Sequence, residues 1–118
     1  MTNVEILKHL QNNNIDTSSA LERFLDNQEM YIMYIKKFAQ DPSFYQIEKY
    51  LTDKKWEQAF ELTHALKGIT GNLGITELFT AFSQISVAYR KQDFTEMKDL
   101  YLKTKKKYIQ TCDLFSQL

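Results

Sequence analysis

The stretch Glu61-Leu62-Thr63-His64-Ala65-Leu66-Lys67-Gly68-Ile69-Thr70-Gly71-Asn72-Leu73-Gly74 contains one of the chain's two histidines and all three of its glycines. At about 100° per residue, Ala59, Leu62, Leu66, Ile69 and Leu73 fall on one helical stripe, and His64 lies roughly 180° from its middle. The spacing predicts a helix that buries one face and turns an imidazole outward on the other. His64, Lys67, Gly68 and Gly71 are neighbours on that outward surface. Glycine in a helix interior costs about 0.5–1 kcal/mol relative to alanine, so two glycines just beyond a histidine serve something other than helix stability. Gly68 and Gly71 clear space for a large partner surface or a phosphoryl group, and Lys67 supplies a flexible point charge for an anion held there. Gly74 follows the last periodic residue, Leu73, and suits the helix C-terminus. Phe60 sits one turn before His64 on the outward face. It either packs under a neighbouring helix or belongs to an apolar docking patch.

Upstream, Val4, Ile6, Leu7 and Leu10 predict a short helix that Asn12-Asn13-Asn14 stops. Asp16, Thr17, Ser18 and Ser19 are candidate N-caps for a second short helix through Leu25, with Ser19 and Glu22 at capping-box spacing. From Gln28 onward Met30 to Ile35 and Phe38 are apolar almost all round, which calls for cover on more than one side. Asp41-Pro42 kinks this helix or begins a new one, and Phe44, Ile47 and Leu51 carry the pattern to Thr52. Asp53 is then the expected cap of the histidine helix.

Downstream, Thr76 is the expected cap of a helix with Leu78, Phe82, Ile85 and Tyr89 on one stripe. Asp93 opens the last helix, where Phe94, Met97, Tyr101, Tyr108, Cys112 and Phe115 share a side. Lys103, Lys105, Lys106 and Lys107 come late in it and suit a helix C-terminus. Short connections make consecutive helices antiparallel neighbours. The expectation is an all-α chain: an antiparallel up-down-up-down four-helix bundle over about residues 28–117, preceded by two short helices over about 2–26, in a single domain spanning 1–118.

Composition agrees. A chain of 118 residues has room for one core, and 43% hydrophobic content with one proline favours long helices. Fifteen basic and fifteen acidic residues cancel, so no global field implies nucleic acid or an anionic membrane as partner. The single Cys112 cannot form an internal disulfide and reads as a small core residue in a reducing compartment. With no signal-like leader and no long apolar run, a cytoplasmic location is expected. Two distant histidines and one cysteine make no metal-ligand set, and neither G-x-x-x-x-G-K-[ST] nor G-x-G-x-x-G occurs, so no cofactor or nucleotide is expected. His9 reads as an ordinary residue.

His64-x-Leu66-Lys67-Gly68 followed by Asn72-Leu73-Gly74 resembles the signature of histidine-containing phosphotransfer (HPt) domains, carriers of two-component phosphorelays. The likeness extends through Ala20-Leu21-x-Arg23-Phe24, the Tyr31 to Asp41 segment, Asp53-x-x-Trp56 and the helix pair after Gly74. Ile69 and Thr70 stand where smaller residues are common, but Ile69 is expected on the core stripe, leaving the face open. The resemblance implies that His64 is phosphorylated, Lys67 assists the phosphoryl group and Gly68 leaves room for a receiver domain. The implied partners are response-regulator receivers, including one in a hybrid histidine kinase, which bring their own Mg²⁺. The chain would act as a monomeric carrier and not as an enzyme. Ser83, Gln84 and Ser86 on the next helix are candidates to orient the imidazole. Two alternatives remain: a helical adaptor that carries no phosphate, and a domain phosphorylated directly by a histidine kinase.

Overall fold

The computed structural model describes residues 1–118, the whole chain, as seven helices and no strand: α1 (Asn3–Asn12), α2 (Thr17–Arg23), α3 (Gln28–Phe38), α4 (Ser43–Thr52), α5 (Trp56–Leu73), α6 (Thr76–Arg90) and α7 (Phe94–Ser116). Four helices open on a side-chain cap: Thr2 accepts from the Glu5 amide, Asp16 from Ser19, Asn27 from Met30 and Asp93 from Glu96. Of the candidates before α2, Asp16 is thus the one used. Asp53 and Thr76 do not cap. Asp53 ends α4, Lys55 precedes α5, and Thr76 is already the first residue of α6. In both places the turn is so short that the backbone reverses through left-handed residues, Lys54 (φ 57°) and Gly74 (φ 76°), and leaves no cap position for them.

Of the two readings of Asp41-Pro42, a kink or a new helix, the structure has the second, and the segment 28–52 is two helices. Pro42 has no amide hydrogen and disfavours helical geometry in the residue before it, so α3 ends and α4 starts afresh. The break is held from the far end of the chain. The Tyr108 hydroxyl donates to the Asp41 carbonyl at 3.1 Å and the Tyr101 hydroxyl to the Phe44 carbonyl at 2.6 Å. The Phe44 ring stacks on Tyr101 and Tyr108 with centroids 4.6 and 4.0 Å apart. Burial pushes both phenols well above their ordinary pKa, so they remain donors at any physiological pH.

The dominant helix contacts run α4 on α5, α5 on α6 and α6 on α7, and Glu48 with Lys105, at 2.8 Å, ties α4 back to α7. That pair is half-exposed and adds little stability. The lysine run lies mid-helix rather than at a C-terminus, because α7 continues to Ser116. A single cluster of buried side chains draws on all seven helices. α3 is covered on one side only: Tyr31, Ile32, Ile35 and Phe38 are buried, while Met30, Met33 and Tyr34 stay more than two-fifths exposed. No helix is long and apolar enough to cross a membrane.

The N-terminal helices close the end of α5. Ile75 N donates to Thr70 O and Gly74 N to Gly71 O, a Schellman pattern that needs the left-handed Gly74. Further donors come from outside the helix. Arg23 donates to Gly71 O at 2.8 Å and Asn72 O at 3.2 Å, the Tyr31 hydroxyl to Leu73 O at 2.8 Å, and Asp16 N to Gly74 O at 2.8 Å. The last four carbonyls of the histidine helix are thus all bonded, Thr70 O by the turn itself and Gly71, Asn72 and Leu73 O by side chains of α2 and α3.

Candidate functional site

α5 presents His64 at its middle, exposed, on a helix whose C-terminal end is bonded to α2 and α3. The buried stripe beneath is Ala59, Thr63, Leu66, Thr70 and Leu73. This corrects the apolar count, which placed Ile69 in the stripe: Ile69 is 38% exposed. Two threonines take the core positions because each buried hydroxyl donates to the carbonyl one turn back, Thr63 to Ala59 and Thr70 to Leu66, both at 2.8 Å. Ile69 is thereby turned to the wall of a groove of about 720 Å³ between the α2–α3 turn and α5, with Phe24, Met30 and Tyr34 opposite.

Phe60 packs against the neighbouring helix. Its ring stacks on Tyr89 of α6 with centroids 4.3 Å apart, leaving it half-buried, and its centroid is 5.9 Å from that of the His64 ring. The Arg90 guanidinium lies over Phe60 at 5.6 Å. Phe60 therefore packs under a neighbouring helix and forms one wall beside the imidazole. Lys67 is half-buried, with its ammonium over the Phe79 ring of α6 at 5.8 Å.

The two outward glycines differ. A Cβ on Gly68 would meet no atom within 4 Å, so the surface beside His64 is open there. A Cβ on Gly71 would stand 3.1 and 3.3 Å from Phe79 ring carbons. Gly71 is thus a seat for a packed aromatic. No family model, curated protein or solved structure matches the chain.

Of the α6 residues proposed to orient the imidazole, none bonds it. The Ser83 hydroxyl donates to Phe79 O at 2.8 Å, Ser86 is fully buried with its hydroxyl unpartnered, and Gln84 points to solvent. The α6 side chains that do border the α5 face are Phe79, Tyr89 and Arg90; sequence reading gave Tyr89 only as a member of the apolar stripe and did not single out the other two. A glycine facing a helix neighbour is the one available signal, since it marks where an aromatic can approach closely. No group of three or more His, Cys, Asp or Glu side chains gathers in the chain. Cys112 is half-buried beside Tyr108, and burial raises its thiol pKa, so little thiolate forms near neutral pH.

The arrangement has a defined chemistry. His64 offers an unhindered ring nitrogen on a rigid helix, with one flexible cation a turn away and a second, Arg90, behind Phe60. The open quarter lies over Gly68. A nucleophile that must meet an electrophile held by another protein needs an exposed atom, a nearby cation and an uncovered approach.

Proposed function

We propose that the chain is a phosphocarrier of the HPt kind, accepting a phosphoryl group on His64 from a receiver-domain aspartate and passing it to a second receiver. The observation that carries the reading is His64 exposed at mid-helix, opposite the buried stripe, beside a Gly68 surface that nothing covers. A neutral ring nitrogen of His64 attacks the phosphorus of the aspartyl phosphate. An N–P bond forms as the P–O bond to the aspartate breaks, the carboxylate leaves, and the second receiver's carboxylate later reverses the step. Transfer of this type depends on alignment and charge stabilisation, and the receiver supplies the acceptor carboxylate and Mg²⁺. This chain contributes the nucleophile, Lys67, and a docking face. In this reading the α3–α4 pair serves as the first member of an up-down-up-down four-helix bundle with α5, α6 and α7, and the chain works as a monomer in the cytoplasm beside its receivers.

The test is incubation with a phosphorylated receiver domain. Acid-labile, base-stable label on the chain supports the carrier. Binding without label would replace the carrier with an adaptor, and label arriving only from a kinase and ATP would make the chain a direct kinase substrate.

Two substitutions probe the face. Lys67→Ala is expected to slow transfer about tenfold, the loss of one charge-assisted contact to the phosphoryl oxygens, while the far-UV circular dichroism stays unchanged. A transfer rate equal to wild type would remove Lys67 from the site. A Cβ at Gly68 meets no atom within 4 Å, and Gly68→Gln replaces a poor helix former, so its melting temperature should be equal or higher. Its affinity for a receiver should fall, and unimpaired binding by titration would show the open surface to be incidental.

A further inference from the structure

We propose that Phe79 is the positioning residue for Lys67, holding its ammonium on the α6 side of His64. The proposal rests on the phosphocarrier reading of His64. Four observations lead to it. The Lys67 ammonium lies over the Phe79 ring at 5.8 Å, within cation–π range. The ring is fixed from below, because it packs against the helix surface where Gly71 has no Cβ. Phe79 is 38% exposed, so a large apolar face is kept at the rim of the site and not in the core. Finally, Lys67 has no competing anchor: the positions three and four residues away on its helix are Thr63, His64, Thr70 and Gly71, and the chain's one ion pair is Glu48–Lys105.

The choice of an aromatic over a carboxylate has a consequence. A lysine stem is flexible, and an unrestrained ammonium samples the solvent, including the space over Gly68 through which a receiver must come. A carboxylate would restrain it as well, but an arriving phosphoryl group would then have to break an ion pair and would meet a like charge. A ring quadrupole restrains the ammonium weakly and carries no net charge. It keeps Lys67 within reach of the His64 phosphoryl oxygens and yields it when the dianion forms. Gly71 then has a purpose that its spacing from His64 hides: it admits the ring.

The experiment combines a spectroscopic and a kinetic arm on the full chain. In wild type the Lys67 ε-methylene proton resonances should lie upfield of those of the exposed lysines through the ring current, and the displacement should vanish in Phe79→Leu. Phosphoryl transfer from a phosphorylated receiver should slow about two- to fivefold in Phe79→Leu, the range that an exposed cation–π contact supplies. Phe79→Tyr should recover the wild-type rate. In a Lys67→Ala background, Phe79→Leu should add nothing, since the ring acts only through the lysine. Equal slowing in that background would mean that the ring merely supports α5 and would overturn the proposal, as would a wild-type rate in Phe79→Leu. A wild-type chain that takes no label at all would instead overturn the phosphocarrier reading beneath it, so the two failures are told apart.

Discussion

A His64→Gln chain is expected to take up no acid-labile label from a phosphorylated receiver, under conditions where wild type is labelled to a stoichiometry approaching one. The loss should be complete, because no second imidazole can substitute. His9, the only other histidine, lies on α1 with its Nε2 buried and without a partner. Gln is a good helix former, position 64 is exposed, and the wild-type imidazole makes no hydrogen bond with Ser83, Gln84 or Ser86. The substitution should therefore shift stability by no more than about 0.5 kcal/mol. Fold and function are separated in one variant: an unchanged melting curve with no label is the expected pair of results. Residual label on the variant would place the phosphoryl acceptor elsewhere and remove the reason for reading α5 as the site. The same variant should still bind a receiver, because Gly68 and the surface around it are untouched. Loss of binding together with label would show that the imidazole is part of the docking contact.

The main axis of this protein was legible because two periodicities agree. Leu66 and Leu73 repeat at helical spacing, and the polar side of the same helix carries His64 and Lys67, so the direction of the imidazole follows from counting. The seams were less legible. Counting apolar residues put Ile69 inside and left Thr63 and Thr70 out, because a threonine is apolar once its hydroxyl bonds its own helix, and that condition is invisible in composition. The roles of Phe79, Tyr89 and Arg90 depend on how α6 slides along α5. That register is set by packing between helices and leaves no local trace. Arg23 shows the same limit. Within α2 it reads as one more basic residue, and only in the folded chain does its guanidinium close the carbonyl end of a helix some fifty residues away.

That carbonyl end is where the largest effect on stability is expected. Gly74→Ala should destabilise the chain by about 2–4 kcal/mol, a fall in melting temperature on the order of 10 °C or more. Two costs combine. At φ 76° the backbone is left-handed, a conformation that disfavours any L side chain by about 1–2 kcal/mol. A Cβ there would also collide with the backbone carbonyl of Asp16, so the chain before α2 must move away. Moving it breaks the 2.8 Å bond from Asp16 N to Gly74 O and disturbs Asp16 as the cap of α2. Gly68→Gln is the internal comparison, since it adds a larger side chain to the same helix at a position where a Cβ meets nothing. Differential scanning calorimetry should therefore show a large fall for Gly74→Ala and none for Gly68→Gln. A Gly74→Ala chain that melts with wild type would mean that the Asp16 segment does not press on the end of α5, and that α1 and α2 contribute little to fixing the histidine helix.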